Sequence, residues 1–488
     1  MTGNSIGQQA VRGSFYSVAS SGVTLLLGLV RSILVTRLLL PAEVGIFRQA
    51  LVILLWVGQI SNFGFDAALI HRDRDIEKAY STHFILNLSL NGLVVIASLL
   101  LAPLLSKYYP NMHGLSAVFV TLALLEFVRA FNFTPLVLLT KELQFRKIAT
   151  IDVISSVSMT IVAPLIAYLG FGYWALVAER VTGVIVRTGI LWLYYRPWSP
   201  EIRFDKTTAR WFFGFGSKIF TSRGLNSLLD QFDDFWIGTV LGKAPLGFYG
   251  KAYEFAGYPQ RVVGNPILNV IFPTFAKVQH DRLRLSQAFF RAASLIVRAG
   301  FLFAGVLTLV IPEFIRIFLG DQWLPMAFTF QLMLIYTLLS PLYSLSNRLT
   351  TAIGKPGVRI WIQLIQIIIF IPGVILSGQW FGIEGVAVAA DIMMLMGVVL
   401  FLLQARKYVD ISLRILFGWP TIGLIMGIGA VLMLAALWSR EPDWISLLGK
   451  SCLLTFVYGT IIFIAERKPL TESMRYLLKL AMIQPNDR

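Results

Sequence analysis

The sequence predicts an all-α polytopic membrane protein with about fourteen transmembrane helices. Three observations carry that expectation. Apolar stretches on the order of twenty residues, each long enough to cross a hydrocarbon core as a helix, follow one another along the whole chain. The short links between them are alternately basic and nearly charge-free. The composition, 56% hydrophobic with a mean hydropathy of +0.72 over 488 residues, lies far from that of an ordinary soluble domain. A barrel would need strictly alternating strands of about ten residues, and none is present.

In chain order the spans read about 14–38, 44–66, 80–105, 115–139, 149–169, 173–195 and 212–240, then 246–275, 289–311, 326–350, 358–379, 382–404, 414–438 and 445–465. The first is too long for a signal-peptide core and contains Arg31, so it reads as a retained helix. No link is long enough for a folded extramembrane domain; the longest, about 196–212, is a loop or surface helix. The lone cysteine, Cys452, excludes an intrachain disulfide.

Charge sets the orientation. One side receives the links around His71–Lys78, Lys141–Lys147, Arg196–Arg210, Lys277–Arg291, Lys355–Arg359 and Arg406–Arg414, with the tail from Arg467. The other receives little beyond Lys107, Lys243, Arg316 and Arg440. Roughly twenty-five basic residues against four is a strong positive-inside bias, placing both termini in the cytoplasm. The net charge of +16 therefore reads as membrane topology, and no nucleic-acid partner is expected. Tyr108, Tyr109, Trp211, Trp323, Trp380, Trp419 and Trp444 mark span ends as interfacial anchors. The tail over 470–482 has the pattern of a helix lying on the inner surface.

A weak internal repeat divides the chain. Gly45-Ile46-Phe47 followed by Ala50 returns as Gly247-Phe248-Tyr249 followed by Ala252. Phe171-Gly172, which enters the sixth span, returns as Phe381-Gly382 at the twelfth. Six spans separate the copies, so both enter the membrane in the same direction, as parallel repeats do. The expected organisation is an N-terminal lobe over 1–211, a C-terminal lobe over 212–411, and a helix pair with tail over 412–488. Cargo is expected between the lobes near the midplane.

Intramembrane charges cost about 2.5–3.5 kcal/mol each on insertion scales, so they point to function. Arg31 lies in the first span, Arg48 in the second and Glu126 with Arg129 in the fourth. In the seventh span Arg223, Asp230 and Asp234 share a face, with Asp233 beside it. The eighth carries Lys251, Glu254 and Arg261, and its Pro259, Pro266 and Pro273 predict a bend. Arg31, Arg48, Arg129, Lys251 and Arg261 are the candidate cationic cavity. Guanidinium groups suit a phosphate-bearing cargo because they bind its oxygens bidentately. Asp230, Asp233, Asp234 and Glu254 are candidates for charge balance or for binding a coupling cation. Other charges near span ends, Arg37, Asp152, Arg187 and Lys218, read as interfacial or internally paired.

Enzyme signatures are absent. His71, His83, His113 and His280 sit at loops or span ends without metal-ligand spacing, and neither a metal nor another cofactor is expected. Gly354-Lys355-Pro356-Gly357 lacks the phosphate-loop pattern. Gly423, Gly427 and Gly429 suggest close helix packing.

The segment Arg37–Phe47, the run Asn62–Arg72, Phe171–Val177, Leu246–Tyr253 and Ile271-Phe272-Pro273 together resemble the signatures of bacterial polysaccharide exporters. These belong to the multidrug/oligosaccharidyl-lipid/polysaccharide superfamily, and the likeness is nearest to the Wzx-type colanic-acid and teichuronic-acid exporters. The resemblance implies a non-enzymatic flippase of the bacterial inner membrane that moves an undecaprenyl-diphosphate-linked oligosaccharide between leaflets by alternating access. Its expected partners are that lipid-linked oligosaccharide, membrane lipids and a polysaccharide polymerase or other assembly protein. Among the superfamily's arginines of the first helix, Arg31 is the nearest match. A cation-coupled small-molecule exporter of the same architecture is the alternative, favoured by the acidic seventh span. A membrane glycosyltransferase would require a sizeable catalytic loop, which the sequence lacks.

Overall fold

The structure, a computed structural model, describes residues 3–482 apart from Asn62, Asp73, Arg74, Pro356 and 435–443. The side chains of 3–15, Ile60, 218–219, 221–222 and 467–482 also lie outside the description. The expectations for Lys218 and for the facing of the tail side chains fall on those residues.

Among the described residues there is no strand, and the all-α expectation is borne out. Among the described residues nine helical segments have the length and apolarity to cross a membrane. One of these, α13 (Gly357–Ala405), is two spans joined at Gly382, whose φ of 61° and ψ of −140° only glycine adopts without strain. Four residues beyond Phe381, Gly385 backs onto the Ser377 carbonyl, and the Ser377 hydroxyl donates to the Gly385 carbonyl at 2.7 Å. That close approach lets the chain reverse without a loop.

The chain forms two compact units, Met1–Gly247 and Phe248–Ile483. The first contains α1 (Gly3–Leu38), α2 (Pro41–Val57), the short α3 (Phe65–His71), α4 (Ile76–Tyr108), α5 (Leu115–Lys141), α6 (Phe145–Tyr168), α7 (Trp174–Gly189) and α8 (Lys206–Trp236). Helix α8, which the repeat assigns to the head of the second lobe, thus packs within the first unit, against α2, α3 and α4. Helix α2 starts sharply because Pro41 sits in its first turn and the Glu43 carboxylate accepts the Leu40 N–H at 2.8 Å.

Helix α9 (Lys243–Ala256) begins in the first unit and continues into the second. At its start a Cβ on Gly45 would strike the Lys243 carbonyl, and one on Gly247 would strike that of Pro41. Each of these backbones fits only because its neighbour lacks a side chain. Positions 41 and 243, and positions 45 and 247, stand 202 apart in sequence, so the two repeat motifs touch through the same reciprocal pair of sites.

The second unit holds α10 (Asn265–Val278), α11 (Arg282–Phe314), α12 (Ala327–Ala352), α13, α14 (Leu413–Met433) and α15 (Trp444–Met482). Near Pro259 the helix is irregular: after a turn at Gly257, Gln260–Gly264 form a widened helical turn that runs directly into α10, which has Pro266 in its first turn. Helices α14 and α15 share one core with α10–α12, including Phe275, Phe289, Leu416 and Leu454. Gly423 lets the Tyr458 ring approach and Gly427 admits Leu454, whereas Gly429 faces open space. Two buried charge pairs reinforce that docking: Arg298 with Glu466, and Lys450 with Glu313. The Tyr458 hydroxyl donates to the Arg298 carbonyl at 2.8 Å.

Two local expectations are corrected. Trp323 is fully buried beside Phe248, so it is a core residue, whereas Trp380 is exposed. His83 sits well inside α4 and is fully buried, not at a span end.

Candidate functional site

Within the first unit the predicted cations are held by carboxylates, those of Arg31 and Arg48 coming from other helices. Arg31 reaches from α1 to α6 and α7. Its Nε lies 3.0 Å from Glu179 Oε1, and Nη1 donates to Thr160 Oγ1 at 3.3 Å. At 13% exposure it is neither lipid-facing nor snorkelling, and it ties three helices together.

Arg48 of α2 grips Asp234 of α8 bidentately, Nε to Oδ1 at 2.9 Å and Nη2 to Oδ2 at 2.8 Å. This fork-to-fork geometry is the strong form of the interaction. Asp234 is 7% exposed and Arg48 22%. Asp233, also buried, accepts the Asp234 backbone N–H at 2.9 Å. Gln49, next to Arg48, and Thr239 form a hydrogen-bonded cluster with Tyr109, the residue that caps the end of α4: Gln49 Nε2 donates to Tyr109 at 3.2 Å and to Thr239 at 3.3 Å, and the two hydroxyls lie 2.8 Å apart. Asp230, on the same helix, is exposed.

Arg129 lies elsewhere, on the wall of a cavity of about 270 Å³ bounded by α2, α3, α4, α5 and α8. Its Nη1 is 3.0 Å from Glu126 Oε1 one turn away, and its guanidinium stacks over Phe133 at 5.5 Å. Arg223 of α8 and Asp66 of α3 line the same space. Behind Asp66 lies a polar network that the sequence did not reveal. His83 Nε2 is 3.1 Å from Asp66 Oδ1, its Nδ1 is 2.8 Å from Thr134 Oγ1, and Asn87 Nδ2 is 3.2 Å from His83 Nε2. Asn87 and Asn91 escaped notice because uncharged amides in an apolar run lower its hydropathy only slightly. Their spacing of four on one helix face was the available signal.

In the second unit Lys251 is buried and donates to Glu254 Oε2 at 2.9 Å, one turn along α9. Arg261, in the widened turn, is exposed and lies over the Tyr258 ring at 5.2 Å. Asp152 pairs with Arg187 between α6 and α7.

Outside the membrane-spanning segments, Asp205 caps α8. Hydrogen bonds from the Thr207 hydroxyl, then from the Thr208 hydroxyl and backbone N–H, hold its carboxyl down to about 2. Capping by a carboxylate also suits the positive end of the helix.

Many apolar helices with charges paired across them, and a polar cavity among them, define a multi-pass membrane protein. The chain belongs to the polysaccharide biosynthesis protein family, whose model matches residues 34–328. It is 24% identical over 446 residues to the lipopolysaccharide biosynthesis protein WzxC of Escherichia coli (strain K12), covering 88% of this chain and 89% of that protein. It is 28% identical over 314 residues to the succinoglycan biosynthesis transport protein ExoT of Rhizobium meliloti (strain 1021), 63% of this chain and 62% of that one. Among solved structures its fold matches the lipid II flippase MurJ in an inward closed conformation, with a TM-score of 0.73 at 14% identity over 94% of this chain and 99% of that one. It also matches an inward-facing multidrug resistance MATE family transporter of the MOP superfamily, with a TM-score of 0.61 at 15% identity over 79% and 94%. The resemblance to polysaccharide exporters drawn from the motifs is thereby borne out.

Proposed function

We propose that this protein is a flippase that carries an undecaprenyl-diphosphate-linked oligosaccharide from the inner to the outer leaflet of the bacterial inner membrane, for surface polysaccharide synthesis. What carries the reading is membership of the polysaccharide biosynthesis protein family over residues 34–328, joined to a fold like that of a lipid-linked precursor flippase. The mechanism is alternating access, with both termini cytoplasmic as the basic links require. It is a transporter and not an enzyme, and a polysaccharide polymerase would take up its product.

Arg31, Arg48, Arg129, Lys251 and Arg261 are the candidate cargo-contacting cations. In the state described, four of them are engaged by carboxylates. A diphosphate can therefore act by competing with Glu179, Asp234 or Glu254 for these cations. Ligand binding shifts a conformational equilibrium only by its differential affinity for the two states. Exchange of one anionic partner for another supplies such a difference. Asp230, Asp233, Asp234 and Glu254 would balance charge or bind a coupling cation. The acidic face of α8 and the likeness to a multidrug transporter fold keep a cation-coupled small-molecule exporter as the second reading.

The test is deletion of the gene followed by lipid extraction. Accumulation of a diphosphate-linked oligosaccharide in the cytoplasmic leaflet, with loss of a surface polysaccharide, is the expected result. Accumulation in the outer leaflet would transfer the defect to polymerisation. No accumulation, with altered drug susceptibility, would select the small-molecule exporter.

A further inference from the structure

We propose that the cavity of the first unit binds an uncharged, hydroxyl-rich sugar residue and excludes phosphate. The proposal rests on the flippase reading, because a glycan cargo is what would bring such a residue among these helices. It follows from the donors and acceptors of the lining. Asn87 Nδ2 donates to the His83 carbonyl at 2.9 Å, and Asn91 Nδ2 donates to the Asn87 carbonyl at 2.8 Å. Only the nitrogen of a carboxamide can donate to a carbonyl, so in both residues the oxygen is the end left without a protein partner. Gln59 Oε1 is buried, also without a partner. All three residues line the cavity, and so do the carboxylates of Asp66 and Glu126.

The lining thus offers two amide oxygens, those of Asn87 and Asn91, and two acceptor-only carboxylates, while Gln59 Oε1 lies sealed behind them. Against them stand two guanidiniums, Arg129 and Arg223, and Arg129 is already paired with Glu126. Two carboxylates formally balance two guanidiniums, so the cationic surplus expected around Arg129 is absent from this cavity. A phosphate oxygen can only accept, so it could use the two guanidiniums but would leave the amide oxygens unsatisfied and face the two carboxylates. A sugar hydroxyl both donates and accepts: it can satisfy the amide oxygens and take an N–H from Arg129. Phe133 and Leu55 supply apolar wall for the C–H face of a pyranose. At about 270 Å³ the space falls at the small end of ligand cavities, suited to one sugar unit of a longer glycan.

The test is saturation-transfer NMR on the full chain in nanodiscs, with neutral methyl hexopyranosides, methyl glucuronide and inorganic pyrophosphate as probes. Transfer to the ring protons of at least one neutral glycoside is expected, undiminished by excess pyrophosphate. It should fall to background in Asn91→Leu, which keeps the side-chain volume and removes the acceptor. Leu55→Trp, which fills the cavity from its apolar side and leaves the polar network whole, should do the same; it decides the matter if Asn91→Leu does not fold. Transfer to no neutral glycoside, transfer that survives in a folded variant, displacement by pyrophosphate, or preference for the glucuronide would each overturn the proposal. Lipid extraction from the deletion strain separates the two readings. An accumulated intermediate without glycoside binding defeats the sugar site alone. Glycoside binding without an intermediate defeats the flippase reading and leaves the chemistry of the cavity standing.

Discussion

Removing Arg48 should cost more than any other single charge deletion in the first unit. Its partner Asp234 is 7% exposed and accepts both prongs of the guanidinium at 2.8–2.9 Å. The Asp233 carboxylate is adjacent and buried as well. In Arg48→Ala the Asp234 charge stays behind without its cation, beside a second carboxylate. Breaking a buried pair in this way costs about 3–5 kcal/mol. Arg48 is itself 22% exposed, so water reaches one side of the pair, and the lower figure, about 3 kcal/mol, is expected. The double variant Arg48→Met/Asp234→Leu should recover most of it, because two apolar side chains of similar volume carry no desolvation penalty. The assay is a double-mutant cycle of Arg48→Met, Asp234→Leu and the two together on folded fraction, read by denaturant titration of the protein in nanodiscs. A coupling of about 2 kcal/mol is expected, since directly contacting charges interact by about 0.5–3 kcal/mol. Additive single variants, or an Arg48→Ala as stable as the parent, would refute the reasoning. Export in the same strains adds a functional readout: a stable but inactive double variant makes the pair part of the transport cycle.

Gly45→Ala and Gly247→Ala should each destabilise by about 1–3 kcal/mol or more, because a methyl group must displace a backbone carbonyl; thermal unfolding in detergent measures it, and unchanged midpoints would refute the crossing. Gly382→Ala should cost about 1–3 kcal/mol from its backbone conformation and open the 381–385 turn to limited proteolysis. Arg31→Glu and Lys251→Glu should abolish surface polysaccharide export while folded protein remains in the membrane, and normal export would count against their role as cargo-contacting cations. The Asp205 cap has a folded pKa of about 2, below its ordinary value of 3.8. Its contribution is therefore complete above that ordinary value and disappears as pH falls from there to about 2. Hydrogen exchange in the first turn of α8 should accelerate across that window in the parent and not in Asp205→Asn.

The spans with clean hydropathy were legible because lipid leaves the backbone few choices. Even the sharp reversal at Gly382 was visible as an aromatic-glycine signature between two apolar runs. The stretch from α8 to α10 was harder. Its charges and prolines blur any window average, and the widened helical turn at Gln260–Gly264 has no signature that separates it from ordinary helix. Arg31, Arg48 and Lys251 were found because charge inside an apolar run is costly and conspicuous. Their partners were not, since nothing in a sequence says that Glu179 faces Arg31. The sugar-sized cavity was invisible for a similar reason: Asn87, Asn91 and Gln59 bear no charge, and an unused amide oxygen becomes apparent only once its nitrogen has been placed. Trp323 failed as an anchor because proximity to a span end does not decide which way an indole points.

The two ion pairs that fasten α15 to α11 bear on how the protein is made. Glu466 follows Arg298 by 168 residues, and Lys450 follows Glu313 by 137. At about 5–20 residues per second, the ribosome needs roughly 10–30 s to deliver either partner. Throughout that interval α11 has left the ribosome with Arg298 at its middle and Glu313 near its C-terminal end, each still without the partner it meets in α15. Its settled position in the bilayer must wait for the last span, so a chain that stops before α15 leaves behind a helix that quality-control proteases can recognise by those two charges.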